Sequence, residues 1–138
     1  MKNEVTTVWK NGMTFEAEVN GHKILMDTPV SDGGQDSGAR PKPLLLAALT
    51  GCSGMDVISI LRKMREPCTW FAMKAEAEPT DSHPKKYLSI KLMYQFKKSD
   101  NLNQENVRKA CELSQDKYCG VSAMLKDSAP LEWDIEYI

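Results

Sequence analysis

The feature that most constrains how this chain can fold is its longest apolar run, over residues 43–61. The run reads PLLLAALTGCSGMDVISIL. It approaches the ~20 residues that a membrane-spanning helix needs. However, it contains Asp56, and an ionised carboxylate near the centre of a bilayer costs ~2.5–3.5 kcal/mol. We therefore expect this run to form a helix that is buried in protein and does not span a membrane. A second subunit is a natural source of the protein surface that covers it.

Length and composition narrow the class of protein. A chain of 138 residues is expected to form one domain, over residues 1–138. Its 18 basic and 19 acidic residues are interspersed and give a net charge of -1, which argues against nucleic acid as a partner. Four cysteines are too few for a disulfide scaffold, and the N-terminal sequence MKNEVTTVWK has no signal-peptide apolar region. These features indicate a protein of the reducing cytoplasm.

Periodicity and turn signals predict an α+β fold with the order βββ-α-ββ-α-α-β. Asn-Gly pairs at residues 11–12 and 20–21 are hairpin signals and predict a three-stranded meander. Pro67 predicts that the long helix stops shortly before it. The expected strands cover residues 5–9, 13–19, 22–27, 69–78, 87–97 and 131–137, and the expected helices cover 40–65, 103–116 and 118–125.

The long helix carries a cysteine, Cys52, midway along it. Its neighbours are the small residues Gly51, Ser53 and Gly54. A thiol in this setting is either inert packing or a nucleophile with room for a substrate. The glycines alternatively permit close packing of helices across a dimer.

A reactive Cys52 requires a cation, because burial alone raises the pKa of a thiol and leaves it inert. The helix dipole offers little help so far from the helix start. Arg40 at the helix entrance is the first candidate for the cation, and Lys117 is the next. Asp56, one turn beyond Cys52, either orients such a cation or pairs with Arg62 or another neighbour.

Two motifs in this order resemble the OsmC family, which includes organic hydroperoxide resistance (Ohr) proteins. The first is GARP at residues 38–41 leading into LLLAALTGC at 44–52, and the second is KYCGVS at 117–122. The resemblance spans essentially the whole chain and is closest to an uncharacterised branch. It implies an OsmC-like fold, with long helices buried centrally in an intertwined homodimer and active sites at the subunit interface.

The same resemblance implies a thiol-dependent peroxidase that acts on organic hydroperoxides in oxidative stress defence. By motif position, Cys52 would attack the peroxide and Cys119 would resolve the sulfenic acid as a disulfide. A cellular dithiol would then reduce the disulfide. No cofactor is implied.

The chain departs from the family pattern at the group that activates the thiol. Family members carry a glutamate just past the helix-opening proline, where this chain has Pro43, and an arginine from the N-terminal strands. Residues 1–39 contain no arginine here. Lys10 and Lys23 supply charge without the planar guanidinium.

Two functions therefore stay open from the sequence. The missing Arg/Glu pair favours a non-catalytic dimer that binds a small apolar ligand and keeps its thiols as packing, whereas the retained cysteine pair favours the peroxidase. We expect no metal site, since His22 and His83 lack ligand spacing such as Cys-x-x-Cys.

Overall fold

The computed structural model describes all 138 residues, and its strands and helices follow the order βββ-α-ββ-α-α-β. The predicted α+β class is confirmed. The chain forms two compact units, Met1–Leu45 and Leu46–Ile138, and the expectation of a single domain stays a prediction. The strands and helices are β1 Val5–Asn11, β2 Thr14–Val19, β3 His22–Met26, α1 Pro43–Lys63, β4 Phe71–Pro79, β5 Tyr87–Phe96, α2 Gln104–Leu113, α3 Gly120–Lys126 and β6 Leu131–Tyr137.

The first unit is an antiparallel meander in the order β1-β2-β3. The turn between β2 and β3 is the predicted Asn20-Gly21 pair, and both residues take a positive φ, 52° and 80°. Such a turn matches the twist of the two strands it joins, which is why the Asn-Gly signal predicted it.

Asp27 anchors the loop that follows β3. Its buried carboxylate accepts hydrogen bonds from the backbone N–H groups of Thr28, Gln35 and Ser37 and from the hydroxyls of Thr14 and Ser37. These bonds, above all the one from the Ser37 hydroxyl, hold the pKa of Asp27 well below its usual range. One ionised side chain thus organises the loop over residues 28–37.

The second unit contains a mixed sheet in the order β4-β5-β6. β4 and β5 are antiparallel, whereas β6 runs parallel to β5. From Ile90 onward, alternate residues of β5 face the core and are buried: Ile90, Leu92, Tyr94 and Phe96. The central strand therefore supplies the inner surface against which the helices pack.

α1 is buried along one stripe only. Leu49, Ser53, Val57 and Leu61 recur every fourth residue and are the buried members of its 21 residues. Another face is open, with Met55 76% exposed. The expected burial on every side is not reached in one chain, because a single sheet covers a single face of a helix. Cover by a second subunit stays a prediction.

By length and composition α1 also passes the test for a membrane-crossing helix, a test that core helices of soluble proteins pass as well. Two polar side chains on it are engaged within the second unit, because Ser53 and Asp56 both hydrogen-bond to Ser114. α1 ends at Lys63, and Arg65 just beyond it takes a left-handed φ of 59°.

Candidate active site

Cys119 lies at the start of α3, where an irregular stretch of helix holds it. A π-helix over Ser114–Tyr118 follows α2 directly. The Cys119 N–H donates to the Ser114 carbonyl oxygen at 2.8 Å, and the Cys119 Sγ accepts from the Ser122 N–H at 3.3 Å. The residue is only 3% exposed. Backbone geometry therefore fixes the position of this sulfur.

The structure brings Cys52, Asp56 and Cys119 together. Cys52 and Asp56 are four residues apart and so lie on the same face of α1. The two Sγ atoms and a carboxylate oxygen of Asp56 all lie within 4.8 Å of one another. All cysteines are free thiols. The site is thus a reduced thiol pair beside a carboxylate, and these three groups are also close enough to ligate one metal ion.

The surroundings of Cys119 oppose its ionisation. Burial, followed by the influence of Cys52 and Asp56, raises the pKa of Cys119 to about 11, and the hydrogen bond from the Ser122 N–H offsets only part of this. None of the groups that act on this pKa is a cation. A positive charge beside the sulfurs is what the site still needs for thiolate chemistry.

Asp56 is held by a hydroxyl rather than by an arginine. The Ser114 Oγ donates to its Oδ2 at 3.0 Å. Asp56 makes no ion pair with Arg62, and its hydrogen-bond partner is instead its neighbour Ser114. Ser114 extends from the π-helix toward α1, and its hydroxyl is therefore within hydrogen-bonding distance of the Asp56 carboxylate.

Behind the carboxylate lies a buried chain of hydroxyls. The Ser114 Oγ is 2.7 Å from the Ser53 Oγ, which is 2.5 Å from the Tyr94 hydroxyl oxygen. The Gln115 Nε2 donates to that tyrosine oxygen at 2.7 Å, and the Ser122 Oγ donates to the Gln115 Oε1 at 2.6 Å. These side chains are all buried.

The direction of these hydrogen bonds follows from the carboxylate, which can only accept. The Ser114 proton points at Asp56, so Ser114 accepts from Ser53, and Ser53 accepts from Tyr94. Burial raises the pKa of Tyr94 to about 12, so its hydroxyl keeps the proton that it donates. Every hydroxyl is therefore satisfied in one orientation, and the chain ends at Asp56.

The other small residues predicted around the thiol have separate surroundings. Ser53 belongs to the buried hydroxyl chain. A Cβ added at Gly54 would lie 3.4 Å from the Met73 Sδ, so this glycine permits close packing of α1 on β4. A Cβ added at Gly51 would meet nothing within 4 Å.

Neither predicted cation is placed beside the sulfurs by the second unit itself. The Lys117 Nζ lies 5.3 Å from the centroid of the Tyr118 ring, and both residues are exposed. Arg40 is exposed and belongs to the first unit. The roles of both residues stay predictions.

An open groove of about 760 Å³ runs between α1 and β4. Its lining includes Gly51, Met55, Phe71 and Met73 but not Cys52. The groove is therefore distinct from the site formed by the two thiols.

Sequence reasoning missed the residues that hold the site from behind: Tyr94, Ser114, Gln115 and Ser122. Two of them gave a signal. Tyr94 occupies an inward position in the alternation of β5, and a buried tyrosine hydroxyl requires a partner. Ser114 shares the apolar side of the helix predicted over residues 103–116, where a hydroxyl is out of place without one.

Comparison with known proteins agrees with this fold and pair of motifs. The family model described as OsmC-like protein matches residues 34–134. Protein YhfA of Escherichia coli strain K12 is 33% identical over 131 residues, which cover 94% of each chain. The chain belongs to the OsmC family, and the resemblance seen in the sequence is confirmed.

Solved structures match the whole fold. A hypothetical protein from Aquifex aeolicus VF5 is similar with a TM-score of 0.82 and 28% identity, covering 100% of this chain and 98% of that one. The organic hydroperoxide resistance protein OhrB of Bacillus subtilis is similar with a TM-score of 0.68 and 12% identity, covering 98% of each chain. The second likeness concerns the fold alone.

Proposed function

We propose that this protein is a cytoplasmic thiol-dependent peroxidase that reduces organic hydroperoxides in oxidative stress defence. The observation that carries the proposal is the approach of the Cys52 and Cys119 sulfurs to within 4.8 Å, although 67 positions separate them in the sequence. The names of family relatives such as OhrB, an organic hydroperoxide resistance protein, point to the same substrate class.

Cys52 is the attacking thiol because it is the more exposed of the two sulfurs. Its thiolate forms an S–O bond to the terminal oxygen of the hydroperoxide, the O–O bond breaks, and the alkoxide takes up a proton to leave as an alcohol. The Cys119 thiol then attacks the sulfenic acid, an S–S bond forms and water leaves. A cellular dithiol reduces the disulfide and is itself oxidised.

The mechanism also needs a cation beside the sulfurs. A carboxylate and a second thiol both disfavour ionisation of a neighbouring sulfur. We assign the compensating charge to Arg40 first and to Lys117 second. Lys117 would have to leave the Tyr118 ring to act.

The active protein is proposed to be a homodimer. The open face of α1 exposes Leu45, Gly51 and Met55, and apolar helix surface of this extent is best covered by a second copy. In such a dimer the partner's first unit is an additional source of the cation.

The test is hydroperoxide consumption by the purified, reduced protein with a dithiol such as dihydrolipoamide. The wild-type protein is expected to turn over cumene hydroperoxide. Cys52→Ser is expected to abolish the reaction because no nucleophile remains. Cys119→Ser, assayed after the dithiol has been removed, is expected to consume one equivalent and stop, leaving a sulfenic acid that dimedone traps on Cys52.

Cys68→Ser is the matched control. Cys68 is half-buried like Cys52, but its thiol donates a hydrogen bond to the Trp70 carbonyl oxygen at 3.5 Å. It does not belong to the cluster of the two thiols and the carboxylate. This variant should retain the full rate. Turnover that survives Cys52→Ser would contradict the proposal.

The competing function is a non-catalytic dimer that binds a small apolar ligand. The groove between α1 and β4 favours it, because its largely apolar lining excludes the thiols. Under this function, neither cysteine variant alters binding of an apolar fluorescent probe, and no hydroperoxide is consumed. Gly51→Leu, which fills the groove, would displace the probe.

A further inference from the structure

The cluster of Cys52, Asp56 and Cys119 has the composition of a metal site. Each residue offers one ligand atom, and these atoms lie within 4.8 Å of one another. In a tetrahedral zinc site, bond lengths of about 2.0–2.3 Å place neighbouring ligand atoms roughly 3.5–3.8 Å apart. The ligand atoms would have to approach one another by about 1 Å, and rotation of the Cys52 and Asp56 side chains on α1 can bring them closer.

The ligand types select the metal. Thiolates favour zinc and other soft or borderline cations, whereas Mg²⁺ and Ca²⁺ prefer an all-oxygen set. Two sulfurs and one carboxylate leave the fourth tetrahedral position to water, the arrangement of an open zinc site.

The groups behind the ligands are arranged as in metal centres. The Ser114 Oγ donates to the Asp56 Oδ2 at 3.0 Å, and the Ser122 N–H donates to the Cys119 Sγ at 3.3 Å. Such bonds orient ligands and tune their basicity. Both donors are buried residues, so the orientation is set by the fold rather than by mobile surface groups.

The charge of the cluster also calls for a cation. Within the second unit no lysine or arginine forms an ion pair with Asp56. The buried Cys119 sulfur has a further thiol and a carboxylate oxygen within 4.8 Å of it. A divalent ion would neutralise two thiolates and leave the carboxylate as the only surplus charge.

We propose that the reduced protein binds one Zn²⁺ per chain through Cys52, Asp56 and Cys119. Binding releases the two thiol protons to solvent and forms two Zn–S bonds and one Zn–O bond, with no change of oxidation state. Because both sulfurs become ligands, the zinc form cannot react with a hydroperoxide. Zinc thereby protects the thiols and holds the protein inactive.

The experiment is a titration of the reduced, metal-free protein with Zn²⁺ against a chromophoric chelator, followed by Co²⁺ as a spectroscopic probe. We expect one Zn²⁺ per chain, and a sulfur-to-cobalt charge-transfer band together with the visible bands of tetrahedral Co²⁺. Cys52→Ser and Cys119→Ser are each expected to lose the charge-transfer intensity of one sulfur and at least about 100-fold in zinc affinity. Ser114→Ala is expected to lose about 10–100-fold, as for other groups that orient ligands.

Cys68→Ser is the control and should bind Zn²⁺ as the wild type does. Protection of wild-type Cys52 from alkylation by stoichiometric Zn²⁺ tests the site without any substitution. Zinc affinity unchanged in Cys52→Ser or Cys119→Ser, or alkylation of Cys52 unaffected by Zn²⁺, would overturn the proposal. Neither measurement uses a hydroperoxide, so its outcome is separate from that of the peroxidase test.

Discussion

Tyr94 illustrates how one residue serves both the core and the candidate site. Its ring packs edge-on against Trp133 with centroids 5.7 Å apart, inside the apolar layer of the second unit. Its hydroxyl, on the same side chain, joins Gln115 to Ser53. The tyrosine therefore links the packing of the sheet to the helix that carries Cys52.

We predict that Tyr94→Phe destabilises the protein by about 1–3 kcal/mol, because Gln115 loses an acceptor and Ser53 a partner in a buried setting. Chemical denaturation monitored by circular dichroism measures the change. Tyr118→Phe is the control, since Tyr118 is 52% exposed, and we expect it to stay within about 0.5 kcal/mol of the wild type. Equal stabilities of the two variants would show that the hydroxyl chain contributes nothing.

At the same scale, the sequence marked the two clustered cysteines more clearly than the buried polar side chains around them. Cys52 and Cys119 stand out because each lies in a short motif with glycine neighbours. Gln115 carries no such mark, since a glutamine at the end of a helix normally faces water. Only the packing of the folded chain decides that its side chain turns inward.

Among the elements, the first β-hairpins and the closing strand were predictable from local chemistry. Asn-Gly turns and strict alternation are short-range signals, and β6 covers residues 131–137 as predicted. The parallel pairing of β6 with β5 was not predictable. It depends on α2 and α3 carrying the chain back to the same end of the sheet, which no local pattern encodes.

The π-helix was the main element missed. Periodicity predicted one regular helix over residues 103–116, whereas α2 ends at Leu113 and the wider turn follows. π-Helices are rare and occur mostly as single turns within α-helices, so a regular helix was the expected reading of this segment. Its effect is large, since it delivers both Ser114 and Cys119 to α1.

The loop after β3 yields a prediction about acid stability. The folded pKa of Asp27 lies below its unfolded value of about 3.9, so the deprotonated carboxylate stabilises the fold. That contribution is complete well above pH ~4 and is lost as the pH falls below the unfolded pKa. Asp27→Asn should therefore be less stable than the wild type at neutral pH, with a smaller loss of stability on acidification.

Urea denaturation at a series of pH values from neutral to acid gives the free energy of unfolding at each pH. The slope of that free energy against pH is then compared between the wild type and Asp27→Asn. Asp36→Asn serves as the control, because Asp36 is an exposed aspartate of the same loop whose positive φ asparagine also tolerates. This variant should keep the wild-type slope. An Asp27→Asn protein with the wild-type pH dependence would contradict the role given to Asp27.

For the whole molecule, the open face of α1 leads to a prediction about assembly. Met55→Glu places a charge where the proposed homodimer buries a methionine, and an unpaired buried charge is strongly disfavoured. We expect sedimentation or light scattering to give a dimer for the wild type and a monomer for the variant. In a monomeric protein the same substitution would be harmless, because Met55 is 76% exposed.

Met124→Glu is the companion variant, a methionine on α3 that is 68% exposed. It should leave the dimer intact. A wild-type protein that sediments as a monomer at micromolar concentration would contradict the proposed assembly.

Trp133 gives the molecule an optical property of its own. The other two tryptophans, Trp9 and Trp70, are 62% and 42% exposed, whereas Trp133 is half-buried between Tyr94 and the Arg108 guanidinium. Its indole contacts the Tyr94 ring, and the Tyr94 hydroxyl hydrogen-bonds to Ser53, which is next to Cys52 on α1. We therefore expect the blue-shifted part of the intrinsic fluorescence to come from this residue, so that a change in the packing around Tyr94 would alter the emission of the unlabelled protein.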